Sequence, residues 1–218
     1  MKAPTLDLER ECWSAGDNLV CGVDEVGRGA WAGPVTVGVV VAPQDRSIDK
    51  VRDSKQLSPA AREGLFEGVN DWAIAQAVGH ASHEECDALG MTAALRLAGN
   101  RAIDALHAQG CRPDRILLDG KHNYLGLGDR VRTVVKGDQL SLSIAAASII
   151  AKVTRDRIMA EEAQHYPAYD FDSNRGYPSP RHRFALHGYG PTVIHRRSWA
   201  FMDDLVWGGR LVAQPTLF

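Results

Sequence analysis

A chain of 218 residues with 44% hydrophobic and 24% charged residues is long enough to bury a full core without disulfide or metal staples. Its net charge of −2 excludes a globally basic protein that coats nucleic acid, so any such footprint has to be local. The four cysteines (Cys12, Cys21, Cys86 and Cys111) form no CxxC pair, which argues against zinc and against a secreted disulfide framework, and no apolar run approaches the roughly 18 residues of a membrane span. The N-terminus MKAPTLDLERECW has no signal-like apolar segment, so a soluble cytoplasmic protein with no membrane partner is expected.

Residues 1–18 are polar and mixed in charge and read as a short helix or arm. Residues 19–26, LVCGVDEV, read as a strand, and residues 34–42, PVTVGVVVA, are β-branched enough to be its hairpin partner. Asp24 and Glu25 put two charges where that first strand enters the interior, which costs free energy unless a cation sits there. In Gly27-Arg28-Gly29, just beyond, two residues without a Cβ let backbone approach a ligand, and the arginine fork suits phosphate. A polar loop holding Asp53-Ser54-Lys55 leads to Ser58-Pro59, an N-cap with proline at the first helical position, and a helix to about residue 71. Residues 72–81 have strand character; residues 83–109 form a long Ala- and Leu-rich helical stretch, broken only at Gly90 and Gly99 and ended by Gly110.

Two further short strands end in acids: RILLDG in Asp119-Gly120 and VRTVVKGD in Gly137-Asp138. From Gln139 the chain is helical to about Tyr166, with Leu140, Ile144, Ala147, Ala151 and Ile158 on its apolar side. The order predicts an α/β layered fold with a site at strand ends along one edge of the sheet. Beyond about residue 166 the composition shifts to Tyr, Pro, Gly, Arg and His, which predicts a smaller C-terminal lobe. Arg175, Arg181, Arg183, Arg196 and Arg197 stand there against one acid, Asp172, as a local basic patch.

Asp24, Glu25, Asp119 and Asp138 form a hard oxygen-donor set that selects Mg²⁺ or Mn²⁺ over zinc and suits displacement at phosphorus. Asp138 reads equally as the N-cap of the helix it precedes, and Asp119-Gly120 as a turn. Asp156 lies about 27 Å beyond Asp138 along a continuous helix. It therefore belongs outside the cluster, paired with Lys152 or Arg157 or touching the C-terminal lobe. The alternatives are a nucleic-acid-binding module that does not cut, though acids facing a phosphate backbone would gain it nothing, and a metal nuclease acting on DNA or structured RNA, which the Gly27-Arg28-Gly29 loop and Tyr177 argue against.

The segments GVDEVGRG, LLDG, VVKGDQLSLSIAAASIIAKVTRDRIM, RGYPSPRH and GYGPTVIHRRSW, in that order, resemble type 2 ribonuclease H, the bacterial ribonuclease HII family, over residues 20–199. The resemblance implies a ribonuclease H-like fold, a five-stranded mixed sheet flanked by helices with a small helical C-terminal lobe. It divides the chain into a catalytic core (1–165), a substrate-binding lobe (166–210) and a tail (211–218). It implies an endonuclease on RNA/DNA hybrids and on duplex DNA carrying single ribonucleotides, cutting 5′ of the ribonucleotide. The metal-binding acids it implies are Asp24, Glu25, Asp119 and Asp138. Gly27, Arg28 and Gly29 would read the 2′-hydroxyl through backbone contacts, and Tyr177 would stack on the following sugar. Lys55, Lys136, Lys152 and Arg155 are candidate phosphate contacts. Val26 departs from the alanine usual in the family, and Lys121 from a common asparagine; neither removes a ligand.

The last five residues, QPTLF, resemble a peptide by which bacterial replication proteins dock on the sliding clamp, with Gln214, Leu217 and Phe218 as anchors. A tail folded back onto its own lobe is the alternative. A monomer is expected by default.

Overall fold

The valine-rich runs form the centre of a five-stranded sheet. In the computed structural model, which describes residues 3–48, 59–206 and 209–210, β1 (Val20–Val26) pairs antiparallel with β2 (Val35–Val41), Asp24 opposite Gly38. On the far side of β2 lies antiparallel β3 (Ala75–Ala81); on the far side of β1 lie parallel β4 (Arg115–Asp119) and β5 (Val131–Val134), in the order β3-β2-β1-β4-β5. The mixed α/β sheet expected from the sequence is therefore present. β5 ends three residues before Gly137, earlier than its sequence suggested, and a short 3₁₀ turn, Gly137–Gln139, carries Asp138.

Helix α1 (Asp7–Ser14) precedes the sheet, and α2 (Pro59–Trp72) follows β2. The expected 83–109 helix is two helices, α3 (His83–Leu89) and α4 (Met91–Ala108). Gly90, at φ 75°, makes the break, whereas Gly99 is accommodated inside α4. Ser82 and Glu85 close a reciprocal capping box at the start of α3, satisfying two otherwise orphaned backbone donors.

α4 covers one face of the sheet, packing with Val23, Val37 and Leu118; α5 (Leu142–His165) covers the other. The sequence allows α5 to lie on backbone. A Cβ at Gly22 would stand 2.2 Å from Ile144 N, and one at Gly38 2.5 Å from Ala147 O. Residues 142–151 of α5 are all buried, so its first turns lack the single apolar stripe that the periodicity suggested. The sheet takes one side and α2, through Val69 and Trp72, takes another. Leu140 lies ahead of the helix and is 52% exposed. Ser141, not Asp138, is the N-cap, its hydroxyl accepting from Ile144 N. The wholly buried Glu9 of α1 reaches the same helix end, where Oε1 accepts from Ser143 N at 2.8 Å and from the hydroxyls of Ser141 and Ser143. A carboxylate is favoured at that end of the helix dipole.

The C-terminal part contains α6 (Phe171–Asn174), α7 (Pro180–Tyr189) and a final 3₁₀ turn (Ala200–Asp204) around its own apolar cluster of Tyr169, Phe171, Leu186, Ile194 and Phe201. Met159 of α5 and Ala32 of the β1–β2 loop enter that cluster, tying the lobe to the sheet. Asp87 of α3 adds a polar tie: its carboxylate accepts from the backbone of Arg197 and Ser198 and from the Ser198 hydroxyl. All four cysteines are buried and free. Among the described residues no helix is long and apolar enough to cross a membrane. Lys55, the Ser58 cap and Gln214, Leu217 and Phe218 lie outside the described residues.

Candidate active site

Parallel pairing of β1 with β4 sets the site. One residue beyond the Val23–Leu118 pair, Asp24 and Asp119 end side by side. Strand alternation sends Asp24 toward α5, where the Ser148 hydroxyl meets it, and Glu25 toward Tyr124, whose hydroxyl donates to Glu25 Oε2 at 3.4 Å. Asp24 is 8% exposed, and its Oδ1 accepts from Glu25 N at 2.8 Å. Burial pushes the Asp24 carboxyl well above the usual range, and the charges of Glu25 and Asp119 push it further. Burial also raises Glu25; Arg28, 3.7 Å away, opposes this, and Asp119 adds to it. Asp119 Oδ1 accepts from Gly137 N at 2.7 Å, which fastens the turn carrying buried Asp138 to the end of β4.

Asp24, Glu25 and Asp119 line a cleft of about 600 Å³ together with Lys152, Arg175 and Tyr177; Asp138 does not line it. Among the described residues, no three acid, histidine or cysteine side chains already stand as a metal cage. Separate donors hold the carboxylates: Glu25 N for Asp24, Tyr124 for Glu25 and Gly137 N for Asp119. The donor set nevertheless fits a hard divalent cation. The acids are oxygen ligands, and burial together with neighbouring carboxylates raises Asp24 and Glu25, a cost that a bound cation would offset.

The β1–β2 loop closes one side of the cleft. Gly27 has φ 87°, and its N–H donates to the Tyr177 hydroxyl at 3.1 Å; a Cβ there would meet Pro34 O at 2.8 Å. At Gly29 a Cβ would find only the Tyr177 ring, at 3.9 Å, so this glycine leaves space beside the tyrosine. The Arg28 side chain is largely exposed. Lys136 is exposed in the left-handed region, at φ 56°. Lys152 lines the cleft while paired with Asp156, as expected for that acid; Arg175, at 3.7 Å, is its other partner, and Arg157 instead joins Glu63.

Two arginines require correction. Arg155, a candidate phosphate contact in the sequence, is wholly buried and donates to Pro34 O (2.8 Å), Ala32 O (3.1 Å) and Arg175 O (2.8 Å). Arg196, counted in the basic patch, is equally buried and donates to Gly33 O through Nε and Nη2 and to Arg28 O through Nη1. The loop between β1 and β2 pairs too little with other backbone to satisfy its carbonyls, and the five-donor fork of arginine serves several at once. Of the remaining patch, Arg181 (3.4 Å from Asp170) and Arg183 (over the Trp31 ring) are exposed. Tyr124, the hydrogen-bond partner of Glu25, is not among the residues that the sequence points to; burial, then Glu25, hold its hydroxyl well above the ordinary phenol range, so it stays a donor.

The family model described as Ribonuclease HII matches residues 21–202. A Ribonuclease HII of Streptomyces avermitilis is 52% identical over 203 residues, 93% of this chain and 86% of its own length. Among solved structures, the ribonuclease H2 of Pyrococcus horikoshii is similar with TM-score 0.68 and 33% identity, over 84% of this chain and 94% of that one. The RNase HII of Archaeoglobus fulgidus, solved as a complex with PCNA, matches with TM-score 0.71 and 27% identity, over 87% and 97% of the two chains.

Proposed function

Since the chain belongs to the ribonuclease HII family and is a ribonuclease H endonuclease, we propose that it hydrolyses the phosphodiester 5′ of ribonucleotides, in RNA/DNA hybrids and at single ribonucleotides in duplex DNA. The products would carry 3′-hydroxyl and 5′-phosphate ends, the reaction that opens ribonucleotide removal from DNA. The observation that carries this reading is the meeting of Asp24, Glu25 and Asp119 in a cleft whose opposite wall is Tyr177, itself bonded to Gly27 N.

Asp24, Glu25, Asp119 and Asp138 would hold Mg²⁺ or Mn²⁺, two ions in the full site, which when bound supply the positive charge that favours attack and departure at phosphorus. The chain's own residues position the substrate. Backbone of Gly27, Arg28 and Gly29 approaches the 2′-hydroxyl, the group that separates RNA from DNA, while the Tyr177 ring packs on the next sugar. Tyr124 keeps Glu25 oriented through its hydrogen bond. Lys152, Arg181 and Arg183, with Lys55 and Lys136, would meet phosphates. Residues 1–165 would then be the catalytic core, 166–210 the substrate lobe and 211–218 a tail. The Archaeoglobus complex with PCNA supports a sliding clamp as partner, engaged here through Gln214, Leu217 and Phe218. A monomer in the cytoplasm suits these substrates.

The test uses end-labelled DNA duplexes with one ribonucleotide or none, incubated with Mg²⁺, Mn²⁺ or EDTA. Metal-dependent scission 5′ to the ribonucleotide, with the all-deoxy duplex intact, is expected. Cutting of both duplexes alike, or binding without cutting under either metal, would overturn the reading.

A further inference from the structure

Behind the Tyr177 wall of the cleft lie two histidines for which the reaction has no use. His182 of α7 and His195 are both wholly buried, their Nε2 atoms 2.9 Å apart. Trp31, Phe171, Tyr169 and Phe201 surround them with rings, leaving little besides each other for polar contact. The outer ring nitrogens face backbone: His182 Nδ1 is 2.9 Å from Tyr177 O, and His195 Nδ1 is 2.9 Å from Thr192 N and 2.8 Å from its hydroxyl.

The directions of these bonds fix every proton. A carbonyl only accepts, so His182 Nδ1 carries hydrogen. A backbone N–H only donates, so His195 Nδ1 is bare and accepts from Thr192. Each ring is then neutral with its second nitrogen determined: His195 Nε2–H donates to a bare His182 Nε2. One proton lies between the two rings, as a 2.9 Å contact requires. Burial, which lowers His182 and takes His195 down to about 3, agrees with two neutral rings at pH 7.

We propose that His182 and His195 are positioning residues, a chain of fixed tautomers running from Thr192 to the Tyr177 carbonyl that holds the tyrosine ring against the substrate cleft. Tyr177 is thereby clasped at three points: its carbonyl by His182, its N–H by Asn174 O at 2.9 Å, and its hydroxyl by Gly27 N at 3.1 Å. The same strip of chain anchors the loop, since Arg196 N donates to Trp31 O and Gly33 N to Ile194 O. The inference rests on Tyr177 as a substrate contact.

Long-range ¹H–¹⁵N correlation spectra of the full-length protein at pH 7 should show His182 protonated at Nδ1 and His195 at Nε2. The opposite tautomers, or a cationic ring, overturn the proposal without touching the function of Tyr177. In kinetics on the single-ribonucleotide duplex, His182→Leu should lose about ten- to a hundredfold in kcat/KM, the scale of a small misplacement at a reacting centre. His182→Asn, whose amide N–H reaches the same carbonyl, should restore most of it. In a Tyr177→Ala background His182→Leu should change kcat/KM less than about twofold. An equal loss in both backgrounds means the pair merely supports the lobe and refutes the proposal. If Tyr177→Ala is itself silent, the reading of Tyr177 fails and this one with it. The spectra decide even where a variant does not fold.

Discussion

Replacing Arg155 by methionine separates a brace from a substrate contact. The side chain is wholly buried and donates to three carbonyls, two in the β1–β2 loop and one in the C-terminal lobe. A hydrogen bond to a charged group is worth about 1.5–3 kcal/mol, so three give a gross loss of about 4.5–9 kcal/mol. Removing a buried guanidinium recovers part of its desolvation cost, and methionine keeps much of the stem packing. A net loss of about 3–5 kcal/mol remains, the range for breaking one side of a buried charged network. At about 2–4 °C per kcal/mol for a chain of this size, Tm should fall by roughly 10 °C. Arg155→Lys should recover little, because one ammonium cannot reach three divergent carbonyls. Thermal unfolding gives the first number, and kcat/KM against salt gives the second. An unchanged Tm, with a salt slope shallower by about one, would mean that Arg155 neutralises a phosphate and would refute the bracing role.

Gly38→Ala drives a methyl to 2.5 Å from Ala147 O, one residue before Ser148, and should cost about 1–3 kcal/mol in urea unfolding; a neutral result would show that α5 can lift off the sheet freely. Asp87→Ala removes three hydrogen bonds to Arg197 and Ser198 and should destabilise by about 3 kcal/mol, read by the same assay. Asp24 carries a pH signature in EDTA. Its folded-state pKa is raised, so the folded form holds its proton where the unfolded chain has released it, and stability falls as pH climbs above the ordinary carboxylate range. Asp24→Asn should flatten that fall and stabilise the metal-free protein at pH 8 relative to pH 4 while abolishing cleavage. Parallel stability curves for the two proteins would contradict the assigned burial and repulsion.

The sheet and its acids were legible because strand signals are local. β-Branched runs, glycine turns and acids at strand ends suffice to place Asp24, Glu25 and Asp119 at one edge once the strands pair. Arg155 and Arg196 were misread for the opposite reason. An arginine in sequence is a charge on a long stem, and whether its fork meets phosphate or carbonyl depends on a loop more than a hundred residues away. Asp138 looked like a cap because it precedes a helix, but the helix starts later, at Ser141, whose hydroxyl does the capping. Glu9, Asp87 and Tyr124 left no trace in local pattern. Each is an ordinary residue until tertiary contacts bury Glu9 at the start of α5, tie Asp87 to the lobe and bring Tyr124 beside Glu25. The four-acid set was legible as chemistry; that Asp119 fastens the turn carrying Asp138 through Gly137 N, while Asp138 itself does not line the cleft, needed the fold.

The most direct test of the central claim is single-turnover cleavage of the single-ribonucleotide duplex with Mn²⁺ by the native protein and Asp138→Asn, with duplex affinity and Tm measured alongside. A loss of roughly a thousandfold or more in rate, at unchanged affinity and Tm, is the expected result. Native-like cleavage by the variant would contradict a site in which all four acids act together.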